Sequence, residues 1–257
     1  MAAGPRAVGD FCWINVLSPN SDADRSFFSQ LLDWSFLEIP GMGHRIQVGG
    51  RDAGGLFPAF DPATQQPTPP GIGVMVRVES ADAAGAKATA LGGSSKPAFD
   101  VGPQGRKADC HDPLGANIDV WQPAASQGME CDPYLHGSPS WYELATTDVA
   151  KAAAFYTSWF WWTTELTSMG DFDYTTFKNN GAPVGGMMPI LPSMGSMPTF
   201  WAVYMTVSDC DAVAARATTL GGQVCMPPMD IPNIGRFAGI VSPTGVMFYV
   251  ITYVMPA

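Results

Sequence analysis

The chain contains itself twice, and this constrains its fold more than any single motif does. Trp13-Ile14-Asn15-Val16-Leu17 leads through Ser18-Pro19-Asn20 into a helical segment carrying Phe27-Phe28. Trp141-Tyr142-Glu143-Leu144-Ala145 leads through Asp148 into one carrying Phe155-Tyr156, with the same spacing from Trp to Phe. Later landmarks keep the register: Gly54 with Gly185, Gly92-Gly93 with Gly221-Gly222, and Gly105-Arg106 with Gly235-Arg236. The turn Asp112-Pro113-Leu114-Gly115 likewise matches Ser242-Pro243-Thr244-Gly245. A steady offset over the whole length is the mark of tandem modules. The expected division is a first module over 1–122, a linker over 123–138 rich in Pro, Gly and Ser, and a second module over 139–257.

Within each copy the periodicity switches between strand and helix. In the first, 9–17 reads as a strand and 20–32 as a helix with Phe27, Phe28, Leu31 and Leu32 on one face. Arg45–Val48 and Ala53–Phe57 form a hairpin, Gly73–Val78 a strand, and Ser80–Leu91 an Ala-rich helix closed by glycine. A last hairpin surrounds Asp112–Gly115. The second copy repeats this with strand 140–146, helix 148–160, strand 201–207 and helix 209–220. Two Pro-rich loops, 57–71 and 187–199, leave matched strands where they would cover the mouth of a cavity.

Composition narrows the function classes. With 46% hydrophobic and 14% charged residues there is ample material for two cores. A net charge of −10, with only 13 Lys and Arg and no basic run, argues against nucleic acid or an anionic membrane as partner. No apolar stretch reaches the ~18 residues that span a bilayer. The N-terminal Met1–Arg6 lacks the apolar core of a leader. Five cysteines without a Cys-x-x-Cys pair read as buried thiols in a reducing compartment, and the expected location is the cytoplasm.

Strand–helix–hairpin units repeated in this order, with Trp141-x-Glu143, Asp148, Phe155-Tyr156, Val184-Gly185-Gly186, Leu220-Gly221-Gly222 and Gly235-Arg236-Phe237, resemble the vicinal oxygen chelate superfamily. This is the glyoxalase, bleomycin-resistance and extradiol-dioxygenase fold, here in a tandem two-module form of actinobacterial type. The resemblance implies an α+β fold of two tandem βαβββ modules whose mixed sheets curl around a cavity, with helices outside. Metal-dependent members place His, Glu or Gln at three inward positions. In this chain those positions fall on Trp13 (with Asn15), Gly73 and Asp119, and on Trp141 (with Glu143), Ala202 and Tyr249. Only Asp119 is a ligand type where the pattern asks for one. Neither a metal nor another cofactor is therefore expected.

What remains for chemistry is shape, hydrogen bonding and a tuned acid. Glu143 shares the inward face of its strand with Trp141 and Ala145, and a carboxylate among aromatics is desolvated and raised in pKa, as a general acid or base requires. Tyr204 and Tyr249 are candidate donors to an oxyanion. Candidate substrate-binding residues are Trp13, Asn15, Arg77, Asp119, Trp141, Met187, Met205 and Met247; methionine fits irregular apolar ligands. Trp161 and Asp33 stand where a glycine usually closes the helix, which makes Trp161 a candidate for an interface or lid. Arg106 and Arg236, matched in both copies, read as anchors of the fold.

These features favour a metal-independent tailoring enzyme acting on a hydrophobic, aromatic or polyketide-like metabolite by acid–base rearrangement, cyclisation or ring opening. An alternative is a binding protein that sequesters a drug-like compound, and a second is a metal-dependent glyoxalase-type lyase or dioxygenase. The expected partner is a hydrophobic small molecule, and the chain a monomer or homodimer.

Overall fold

A computed structural model describes residues 6–61 and 64–254. The N-terminal segment read above as lacking a leader's apolar core lies outside these, apart from Arg6. The first module contains β1 (Phe11–Ser18), α1 (Ser21–Leu32), β2 (Ser35–Ile39), β3 (Gly43–Val48), β4 (Arg51–Pro58), β5 (Gly71–Arg77), α2 (Ala81–Ala90), β6 (Phe99–Asp100), β7 (Gly105–Ala108) and β8 (Asp119–Pro123). The second contains β9 (Pro139–Thr146), α3 (Val149–Phe160), β10 (Thr163–Ser168), β11 (Asp173–Asn179), β12 (Ala182–Pro189), β13 (Phe200–Thr206), α4 (Cys210–Thr219), β14 (Gln223–Ile231), β15 (Gly235–Val241) and β16 (Met247–Tyr253). The sheets run β2-β3-β4-β1-β5-β8-β7-β6 and β10-β11-β12-β9-β13-β16-β15-β14, the same eight-stranded topology twice. Each sheet joins two βαβββ units through one central antiparallel pair, β1 with β5 and β9 with β13. The fold is the expected α+β one, and the βαβββ unit occurs twice in each half.

Local chemistry explains the shared plan. Asn20, Ser80, Asp148 and Asp209 cap their helices, each side chain accepting from the backbone N–H three residues on. Arg106 donates to Asp82 and Asp100, and Arg236 donates to Asp211 and Asp230, tying helix to sheet identically in both modules. The matched arginines are structural anchors. Trp161 and Asp33 both close their helices in the left-handed region, at φ 57° and 55°. A tryptophan there costs about 1–2 kcal/mol, and it points outward, 76% exposed, with the Lys87 ammonium 3.3 Å from its ring centre.

The helix-bearing faces of the two sheets share one continuous apolar core. Phe11 stacks on Tyr142 at 4.1 Å, and Phe28 meets Phe248 edge-on at 5.3 Å. Three indoles clamp the modules: Trp34 donates to Gly137 O, Trp159 to Ala84 O and Trp162 to Gly9 O, at 2.7–2.9 Å. Trp159 and Trp162 of the aromatic run thus hold the two halves together. The segment between β8 and β9 is also built in, with Met129 and Cys131 buried. Gly137 approaches so closely, at φ 83°, that a Cβ would lie 2.1 Å from Leu32 O.

Each module also holds the other's Pro–Gly turn. Tyr156 of α3 donates to buried Asp112 at 2.9 Å while accepting from the Trp201 indole. Thr244 in the matching turn donates to Asp24 of α1. Tyr156→Phe would leave Asp112 and Trp201 short of a partner, and unpaired buried groups cost about 1–3 kcal/mol. A fall in Tm of about 2–4 °C per kcal/mol lost is expected in calorimetry.

Candidate active site in the second module

β9 places Tyr142 and Leu144 in the shared core and Trp141 and Glu143 on the opposite, concave face of its sheet. The strands beside Glu143 present small residues: it is registered with Ala202 on β13 and with Gly186 on β12. That space is filled by hydroxyls. Tyr174, from β11, donates to Glu143 Oε2 at 2.8 Å, and Tyr204 donates to Oε1 at 2.8 Å. The Trp141 indole donates in turn to the Tyr174 oxygen at 2.9 Å, so every proton in the chain points toward the carboxylate.

Glu143 is half-buried, reachable from the cup yet ringed by protein atoms. Burial pushes its carboxyl above the usual glutamate range, and the two tyrosine hydrogen bonds pull partly back. No cationic side chain contributes to that balance. A carboxylate offers about four lone-pair directions. Two donors therefore leave each oxygen able to accept once more. Its face of the sheet is otherwise aromatic and apolar, with Trp141, Tyr204, Phe237, Tyr249, Met226 and Met247 in one cluster. Tyr249 stacks on Tyr204 at 4.8 Å, its hydroxyl donating to no described residue, and burial pushes it up to about 12, so it remains a donor at neutral pH.

Tyr174 is a candidate-site residue that the sequence did not point to. It shares a face of β11 with Thr176 and Lys178, but only the sheet order brings it to Glu143. The accompanying signal is Gly186. A Cβ there would lie 1.8 Å from the Tyr174 oxygen and 2.4 Å from its Cζ. Gly186→Ala is thus expected to expel Tyr174 and cost about 1–3 kcal/mol of stability, as overpacking does. With one donor gone, the Glu143 carboxyl titrates higher still, and the acidic limb of any pH–rate profile moves up.

The remaining sequence candidates divide by location. Trp141, Tyr204, Tyr249 and Met247 join Glu143 on the second concave face. Tyr204 spends its hydroxyl on Glu143, leaving Tyr249 as the open donor. Met187 and Met205 are corrected: both are fully buried in the shared core, because Met187 is registered with core-facing Leu144, one step out of phase with Glu143. Trp13, Asn15, Arg77 and Asp119 belong to the first module's concave face, on the other sheet. There Trp13 packs on Met75 and Trp121, and the Asn15 amide reaches the Met75 sulfur at 3.2 Å. Arg77 is registered with Trp121, its Nη1 buried and unpaired. Asp119 is 2.7 Å from the Lys107 ammonium, which also contacts Asp109 at 2.6 Å. Two carboxylates hold Lys107 firmly protonated, and burial pushes Asp119 up.

The chain is 32% identical over 246 residues to "Putative glyoxylase CFP32" of Mycobacterium tuberculosis, covering 93% of each protein. Its fold matches the Mn(II)-bound glyoxalase of Novosphingobium aromaticivorans with a TM-score of 0.66 at 16% identity, over 95% of this chain and 82% of that one. The chain belongs to the vicinal oxygen chelate superfamily. It is also 38% identical over 130 residues to the anthracycline biosynthesis protein DnrV of Streptomyces peucetius, a match covering 46% of this chain and 47% of that protein. No protein-family model matches the chain.

The family's metal centre can be tested against the donors present. Divalent cations in such sites take imidazole or carboxylate ligands. The second concave face offers Glu143, Ala202 and Tyr249, with Glu143 already accepting from two tyrosines. The first offers Asn15, Gly73 and Asp119, with Asp119 ion-paired to Lys107. Among the described residues no three His, Cys, Asp or Glu side chains cluster. Glu143 and Asp119 lie on different sheets, each satisfied within its own module. These donors do not fit a family-type centre.

Proposed function

We propose that this protein is a metal-independent tailoring enzyme that acts on an aromatic, polyketide-like small molecule by acid–base chemistry. The reaction class is rearrangement, cyclisation or ring opening through an enolate or phenolate. The observation that carries this reading is Glu143, a desolvated carboxylate with no counter-charge, held by Tyr174 and Tyr204 inside an aromatic cup. Glu143 takes a proton from a carbon or hydroxyl group next to a carbonyl and returns it elsewhere on the substrate. The Tyr249 hydroxyl donates to the oxygen on which charge develops. The half-length similarity to a protein named for anthracycline biosynthesis supports an aromatic polyketide as the substrate class.

The test is incubation in D2O with a panel of aryl ketones and hydroxylated anthraquinones, followed by mass spectrometry. Protein-dependent deuterium uptake or conversion is expected, and Glu143→Gln should abolish it. Tight binding with the compound recovered unchanged and unlabelled would instead establish a sequestering protein, since aromatic walls alone can hold such a ligand.

A further inference from the structure

Where the start of β5 passes the starts of β13 and β16, a cleft of about 220 Å³ lies between the modules. Pro70, Gly71 and Ile72 form its first-module side, and Phe200, Trp201 and Met247 much of its second. Ala202 and Tyr249 also line it. The same two residues border the proton-transfer site, Ala202 paired with Glu143 across the sheet and Tyr249 stacked on Tyr204. The cleft and the Glu143 cup therefore share a wall.

We propose that this cleft is a substrate subsite, holding a flat, uncharged ring system of the molecule whose reacting carbon lies at Glu143. The inference rests on the acid–base reading of that residue and adds that the first module contributes to substrate recognition. Three observations specify the ligand. None of the lining residues is charged at neutral pH, so an ionic group would be desolvated without compensation. Phe200 and Tyr249 offer ring faces and edges, and Met247 adapts to the contour of a planar guest. The Tyr249 hydroxyl has no described partner, so the ring carries a carbonyl or phenolic oxygen within its reach.

Gly71 is the position that tests this. A Cβ built there meets no atom within 4 Å, and its backbone is outside the left-handed region, so a side chain is accommodated without strain. Gly71 also stands apart from Glu143 and its tyrosines, in the other module.

The probe is 1-tetralone, an uncharged bicyclic aryl ketone, titrated by calorimetry against the full chain, with 1-naphthoate as a charged comparator. Wild type is expected to bind tetralone at one site and naphthoate at least about tenfold more weakly. Gly71→Phe should weaken tetralone about tenfold or more, while Gly71→Ser stays close to wild type. Circular dichroism of both variants confirms that they fold. Absence of tetralone binding to wild type, equal affinity for naphthoate, or an unchanged affinity in Gly71→Phe would each overturn the subsite. Glu143→Gln separates the two ideas: it should bind tetralone as wild type does. Binding retained with turnover also retained would sink the acid–base role and leave the subsite standing.

Discussion

Glu143→Gln is expected to lower turnover by about 10²- to 10⁴-fold, the usual worth of a positioned general acid or base. Glutamine keeps the shape and can still accept from one tyrosine, but it takes no proton. Substrate affinity should change little, because the aromatic walls supply most of the contact. The same variant should be more stable than wild type at neutral pH, and the sign follows from linkage. Burial raises the Glu143 carboxyl in the folded state, so the native protein holds this proton more tightly than the unfolded chain. Stability is therefore highest below the ordinary glutamate pKa and declines as pH rises through the window up to the raised value. Glutamine removes that decline. Melting curves at pH 4 and pH 8 should diverge only at the higher pH, with Glu143→Gln melting later. A variant that melts earlier at pH 8 would mean that the carboxylate stabilises the fold instead of straining it.

Lys107→Met is expected to have the largest effect on stability, about 3–5 kcal/mol, because breaking a buried ion pair strands the partner charge. The Asp119 side chain is only 6% exposed and would keep just the weak bonds at 3.3–3.4 Å from Asn117 and the Cys110 amide. Burial and nearby Asp109 both push the Asp119 carboxyl up, and with Lys107 gone only the weak bond from the Cys110 amide opposes them. The folded variant then gains stability by taking up a proton, so its deficit should be greatest at pH 8 and smaller at pH 5. Urea melts at the two pH values would show this. Adding Asp119→Asn should recover most of the loss, since removing both charges costs far less than removing one. Equal deficits at both pH values would mean that Lys107 acts through packing of its alkyl chain.

The first module's concave face differs from the second in this respect. Its Asp119 is ion-paired with a lysine of the same module, whereas Glu143 has only neutral donors. Among the described residues, the carboxylate on the first concave face is thus paired with a cation and Glu143 on the second is not. The pairing of Lys107 with Asp119 also explains why the one carboxylate standing at a family ligand position is not free to act as one.

The division between sequence and structure is visible in particular residues. Periodicity put Glu143 on the strand face opposite Tyr142 and Leu144, since alternation depends only on backbone geometry, and the family resemblance suggested that this face is the inward one. The duplication, the helix caps and the paired roles of Arg106 and Arg236 were equally legible, being local or repeated in the chain itself. Met187 and Met205 were misplaced because which face of a strand is inward depends on register with its neighbours, and a one-residue slip exchanges the faces. Tyr174 was invisible for a related reason: its hydroxyl meets Glu143 across β12, at a point where Gly186 lacks a side chain. The sequence by itself determined the repeated unit, its turns and the alternation that sets Glu143 apart from Tyr142 and Leu144, all matters of short-range stereochemistry and apolar pattern. Tertiary structure decided that the modules join through their helix-bearing faces, that Trp159 and Trp162 clamp them, and that Glu143 is ringed by tyrosines and paired with no cation. Those outcomes follow from burial of large aromatic surfaces and from which strands come to lie side by side, and both are settled only when distant segments pack together.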